Sequence, residues 1–118
     1  MEANKRACFA LVAATLVNRQ QYNGVYDFHQ SRHISVSTSN ADTSTPNFYD
    51  HNRGTYVSGN SQSMYDYATS AHVSINMNGN IVDCYDYESS SYISFTVNGT
   101  SVGAYDYETG AHYNYNVN

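Results

Sequence analysis

The dipeptide Tyr-Asp opens five units along this chain, at Tyr26, Tyr49, Tyr65, Tyr85 and Tyr105, and the last three starts are spaced 20 residues apart. Seven residues after each start stands His or Tyr: His33, Tyr56, His72, Tyr92 and His112. A repeat of this length is one supersecondary unit that must stack on its neighbours to bury a core. Each unit holds two turn signals. The first is Asp-x-x-x-(Gly or Ser), as in "DYETG" and "DYESS". It suits a four-residue hairpin loop in which Asp caps the opening amides and the last residue turns left-handed, a place easier for Gly than for Ser. The second signal is Asn78-Gly79 and Asn98-Gly99, read as two-residue hairpin turns.

Placing the first loop after Asp sets Tyr65 opposite His72, Tyr85 opposite Tyr92, and Tyr105 opposite His112. Counting outward from Asn-Gly pairs Met77 with Asn80, Ile75 with Val82 and His72 with Tyr85, and likewise Tyr92 with Tyr105. Tyr56 then opposes Tyr65 if Gly59 to Gln62 form a shorter loop, and His33 opposes Tyr49 if a hairpin ends around Asn40, Ala41 and Asp42. One level row of Tyr and His is thus expected across ten strands. Side chains alternate along a strand, so the neighbouring positions face the other way. They read Val25, Ile34, Phe48, Val57, Met64, Val73, Cys84, Ile93, Ala104 and Tyr113. Two residues further along stand Ile75, Val82, Phe95, Val102 and Tyr115, with Val36 near by. A one-residue slip would expose all of them.

Residues 1–21 hold the apolar segment "NKRACFALVAATLVN", expected to be a helix over roughly 3–20 that starts near Glu2 or Asn4. It is apolar nearly all round between 7 and 17, which calls for burial on most sides. Lys5 and Arg6 before an apolar run resemble a secretion signal, but no clean cleavage site follows, and the run is too short to span a bilayer. A retained helix favours a cytoplasmic or non-classically exported protein. The 118 residues suit a single domain, with β-hairpin repeats over 22–118. The expected fold is mainly β: an antiparallel meander of about ten strands in five hairpins, curled around or packed on the helix. An open set of hairpins and a β-solenoid are the alternatives.

Net charge is −5 with only five Lys and Arg, too few for a phosphate-neutralising patch, so nucleic acid is not an expected partner. Cys8 and Cys84 read as buried thiols, with a single bridge as the other possibility. The Asp-x-x-x-Gly turns at about 20-residue spacing resemble the YD repeats of bacterial secreted toxins and adhesins. They are similar also to small bacterial β-flower proteins. The resemblance covers 26–118 and implies a bacterial or phage β-repeat scaffold, without catalytic residues.

Asp27, Asp50, Asp66, Asp86 and Asp106 are expected to be turn caps, on a different face from the His row. His33, His72 and His112 lie several strands apart, too far to share one metal ion. His29 and His51 sit in loops beside Arg32 and Arg53, with no metal-ligand spacing. His72, Ser74, Asp83 and Tyr85 share one face and could be read as a hydrolase-like set, though nothing supplies an oxyanion hole. Asn98-Gly99-Thr100 matches a glycosylation triplet whose turn role accounts for it. No cofactor or metal is expected. The leading expectation is a non-enzymatic binding or self-assembly module. Its surface is an outer strip of Tyr65, His72, Tyr85, Tyr92, Tyr105 and His112 with Asp83, set among Ser and Asn, for a protein or carbohydrate partner or a homo-oligomer. The alternative is a small-ligand binder with a cavity between helix and sheet, lined by Cys84, Tyr113 and Tyr115.

Overall fold

A computed structural model describes residues 1–40 and 44–118. Helix α1 (Ala3–Asn18) is followed by ten strands: β1 (Gly24–Asp27), β2 (Arg32–Asn40), β3 (Asn47–Asp50), β4 (Thr55–Gly59), β5 (Ser63–Asp66), β6 (Ala71–Asn78), β7 (Ile81–Asp86), β8 (Ser91–Asn98), β9 (Ser101–Asp106) and β10 (Ala111–Val117). Each strand pairs antiparallel with the next, and β1 also pairs with β10, so the meander closes into a barrel. Closure leaves no unpaired edge to recruit other strands.

The helix runs inside the barrel. Lys5 through Leu16 are buried without a break, which only a helix wrapped on every side can achieve. The dimensions agree. Ten strands roughly 4.8 Å apart, tilted about 40°, make a wall about 10 Å from the axis. That is the distance at which a helix axis packs on a neighbouring element. Sixteen helical residues rise about 24 Å, enough to thread a body of 31 × 30 × 26 Å. Glu2 caps the start, accepting the amides of Asn4 and Lys5 at 2.9 and 3.0 Å. Arg19 ends the helix in the left-handed region at φ 54°.

The inner face of the wall is the apolar set read from alternation. Val25, Ile34, Phe48, Val57, Met64, Val73, Cys84 and Ile93 are all at most 1 % exposed, and Ala104 and Tyr113 are buried too. Burying these against Phe9, Leu11, Val12 and Leu16 of the helix is the main drive to close. Cys8 and Cys84 are free and buried.

Within hairpins the pairing is as expected: Tyr26 opposite His33, Tyr49 opposite Tyr56, Tyr65 opposite His72, Tyr85 opposite Tyr92, Tyr105 opposite His112. Between hairpins it is not. Tyr85 faces Ser74 rather than His72, Tyr105 faces Ser94 rather than Tyr92, and Tyr65 faces Ser58 rather than Tyr56. Tyr49 faces Ser37 rather than His33, and Tyr26 faces Asn116 across the closing seam. The reason at two seams is local. Asn78 and Asn98 are the last paired residues, opposite Ile81 and Ser101, and the loops are Gly79-Asn80 and Gly99-Thr100. Glycine stands first in each loop, with φ 63° and 60°, as a type II′ turn requires. Moving the turn by one residue moves the register by two, which keeps every side chain on its face. The reason at all seams is global: strands in a closed barrel must tilt, and tilt is stagger. Offsets of two residues at three seams and four at two give a stagger of about fourteen residues around the barrel. The outer row is therefore a staircase of five pairs, not a level ring. Of the expected hairpin end at Asn40, Ala41 and Asp42, the last two residues lie outside the described residues.

The four-residue loops also follow the sequence. Gly54 and Gly110 close theirs at φ 64° and 66°, and Ser31, Ser70 and Ser90 take the same left-handed place at φ 54°.

Candidate functional site: an outer aromatic wall over a buried charge ring

The first Tyr of each unit points out and is half-buried by neighbouring rings. Tyr65 meets His72 at 4.8 Å between ring centroids, Tyr85 meets Tyr92 at 4.7 Å, Tyr105 meets His112 at 4.6 Å, and Tyr49 meets Tyr56 at 4.7 Å. A third ring joins from the residue after Asp. Tyr67 packs edge-on against Tyr65 at 4.7 Å, Tyr87 against Tyr85 at 4.9 Å, and Tyr107 against Tyr105 at 4.7 Å. Phe28 and His51 do the same for Tyr26 and Tyr49. Sequence reasoning assigned this position to the loop and missed it. The signal was present: two residues beyond an outward Tyr is again an outward place. These third rings and Tyr56 and Tyr92 carry the exposed aromatic surface, with Tyr107 at 62 %, Tyr87 at 61 % and Tyr92 at 59 %. Edge-to-face packing holds each group in one arrangement.

Three clefts indent the wall beside these ring groups. One, of about 680 Å³, lies between His72 and Tyr87 over Ser63, Ser70 and Ser74. A second, of about 480 Å³, lies between Tyr92 and Tyr107 beside Asn76 and Asp83. The third, of about 360 Å³, sits over Gly103 among Tyr105, Tyr107, His112, Ser94, Thr96 and Asn114. All the residues expected in the strip therefore lie on this wall, and Asp83 is exposed within it.

The true register does not set the hydrolase-like group of His72, Ser74 and Asp83 opposite one another as a level row would. Asp83 pairs with Asn76, and Ser74 with Tyr85. His72 Nδ1 lies 3.4 Å from Ser63 Oγ, while Ser74 Oγ accepts the Tyr85 amide at 3.3 Å. The polar groups of the inner-cavity reading are engaged as well. Tyr115 Oη accepts from Arg6 Nε at 3.0 Å, and Tyr113 donates to Thr109 at 3.0 Å. The Arg6 guanidinium stacks 3.5 Å over the Tyr113 ring. Burial pushes the Tyr115 hydroxyl and both thiols above their ordinary pKa values. Burial draws the Arg6 guanidinium down, but Tyr115 and Asp106 outweigh it, so Arg6 is held above its usual range. The loop histidines are likewise occupied: His29 packs on Tyr113 at 5.0 Å, and His51 bonds Ser37 at 2.7 Å.

The five Asp residues do more than cap turns. In every unit Oδ1 accepts the amide two residues on, at 2.9 to 3.4 Å, as expected. Yet all five side chains point into the barrel and are at most 1 % exposed. They ring the N-terminal end of α1, where cations meet them. Lys5 Nζ lies 2.8 Å from Asp86 and 3.7 Å from Asp66. Arg6 reaches Asp106 at 3.0 Å, and Arg53 bridges Asp50 at 2.7 Å and Asp66 at 2.8 Å. The Met1 amino group pairs with Asp106 at 3.1 Å and with Glu108. Asp27 takes the Gln30 amide at 2.7 Å. The positive end of the helix dipole faces the same carboxylates. Sequence reasoning missed this ring, although alternation puts the residue after an outward Tyr on the inner face. Among the described residues no group of three or more His, Cys, Asp or Glu is placed to hold a metal ion. No helix among them is long and apolar enough to cross a membrane.

No protein-family model, curated protein or solved structure matches the chain.

Proposed function

We propose that this protein is a non-enzymatic recognition module that binds a protein or carbohydrate partner through its outer aromatic wall. The observation that carries the reading is the set of ring groups repeated from hairpin to hairpin, with Tyr56, Tyr67, Tyr87, Tyr92 and Tyr107 each more than half exposed. The barrel does not need these rings for its core, which is filled from the other face. Rings already packed edge-to-face lose little rotamer freedom on binding, so contact area converts to affinity at low entropic cost. In two of the clefts the polar lining is Ser, Thr, Asn and Gly, which hydrogen-bond without charge, while Asp83 stands beside Tyr92 and Tyr107 in the other.

The test compares the native chain with a variant in which Tyr85, Tyr92 and Tyr105 are all Ser. Binding to an oligosaccharide array and to proteins of the source cells, and mass in solution, are measured for both. Loss of binding or of assembly by the variant, at unchanged circular dichroism, supports the reading. Equal behaviour of two folded proteins would overturn it.

A further inference from the structure

Two glycines occupy equivalent outward places, two residues before the first Tyr of their units: Gly24 before Tyr26 and Gly103 before Tyr105. They differ in what fills the missing side chain's space. At Gly24 the His33 ring lies over the backbone, and an added Cβ would come within 2.3 Å of it. His33 is held there by Asn118, 3.3 Å away. At Gly103 nothing moves in. An added Cβ would meet only Asn114 Oδ1, at 3.9 Å. Nor does the backbone demand glycine, since Gly103 lies outside the left-handed region. A glycine within a strand that neither turns the chain nor admits a neighbour leaves room for something else to approach.

The room has a definite chemistry. Tyr105, Tyr107 and His112 supply aromatic surface on one side. Thr96 and Asn114 flank Gly103 on the neighbouring strands and Ser94 stands opposite Tyr105, supplying hydroxyl and amide groups. No carboxylate, ammonium or guanidinium lines it. Its volume of about 360 Å³ is near the small end of ligand pockets. An anion has no cation to meet there, and the chain's net charge of −5 repels it further. A hydrocarbon would strand the hydroxyl and amide groups without partners. A neutral pyranose suits both sides: its C–H face stacks on a ring, and its hydroxyls bond to Ser, Thr and Asn. Resting on the reading of the outer wall as a binding surface, we infer that the Gly103 cleft is a subsite for one neutral sugar ring. Tyr107 also borders the neighbouring cleft at Tyr92 and Asp83, so a glycan chain could extend from one to the other.

The test is a nuclear magnetic resonance titration with the methyl glycosides of glucose, galactose, mannose and N-acetylglucosamine, each to about 50 mM, since a single stacked sugar binds in the millimolar range. At least one should give saturable shifts at the amides of Gly103, Tyr105 and Asn114. Gly103→Val should weaken that glycoside at least tenfold while the barrel stays folded, because Val suits a strand better than Gly. Ser58→Val, on the outer face of β4 away from the three clefts, should leave the shifts unchanged. No shift with any glycoside, or equal shifts in Gly103→Val, would overturn the inference. Were the triple Tyr→Ser variant then still to lose a protein partner, the outer wall would stand as a binding surface and the sugar subsite alone would fall.

Discussion

Replacing Lys5 by Met removes one charge from the ring at the barrel's mouth and nearly preserves shape. Lys5 is fully buried, and its Nζ lies 2.8 Å from Asp86 Oδ1, 3.7 Å from Asp66 Oδ2 and 3.3 Å from Thr69 Oγ1. Asp66 keeps Arg53 after the change. Asp86 keeps only the Glu88 amide at 3.1 Å and the Ser89 hydroxyl at 3.1 Å, and faces a closed interior with no cation. Breaking a buried pair by removing one member costs about 3–5 kcal/mol. A Coulomb estimate agrees: at an effective dielectric of about 20, unit charges about 4 Å apart attract by about 4 kcal/mol. For a chain of this length the unfolding entropy is about 0.25 kcal/mol/K, so Tm should fall by about 12–20 °C. Urea unfolding followed by circular dichroism checks it, with the midpoint lowered at unchanged slope. Adding Asp86→Asn should recover about half or more of the loss, because the orphaned charge disappears with its partner. A loss below about 1 kcal/mol, or a double variant in which the two costs simply add, would refute the view of the ring as a coupled ionic network.

Ser31→Gly, Ser70→Gly and Ser90→Gly should each stabilise by about 0.5–1 kcal/mol, because relief of left-handed strain outweighs the glycine's added unfolded-state entropy. Gly110→Ala should destabilise by a similar amount in the same urea assay. Stability should fall as pH rises above about 9: Cys8, Cys84 and Tyr115 are all raised in the folded state, so above the ordinary values of 9.0 and 10.0 only the unfolded chain ionises them. Each such group should contribute a slope of up to about 1.4 kcal/mol per pH unit, read from urea midpoints between pH 8 and 11. Both thiols should be inert to an aromatic disulfide reagent in native buffer and react fully in urea, and fast labelling of either in native protein would contradict its burial.

Much of this protein was decided by the local pattern of its sequence. Alternation sorted Val25 through Tyr113 onto one face, and the Asp-headed loops set every pairing within a hairpin. The apolar girth of the N-terminal segment required a structure that surrounds it. These are short-range facts of side-chain direction and turn geometry, and a sequence carries them directly. What passes between hairpins was decided by closure. A level row of Tyr and His satisfies the faces as well as a staggered one does, since a shift of two leaves inside and outside unchanged. Only the tilt needed to join β1 to β10 at a radius that admits the helix selects the stagger. That stagger parts Tyr85 from His72 and Ser74 from Asp83 as partners, and sets Ser74 and Ser94 beside Tyr85 and Tyr105, where polar-floored clefts indent the wall. The charge ring is likewise a product of assembly. Lys5 and Arg6 are near Asp86 and Asp106 only because the helix stands inside the barrel, some eighty and a hundred residues away along the chain.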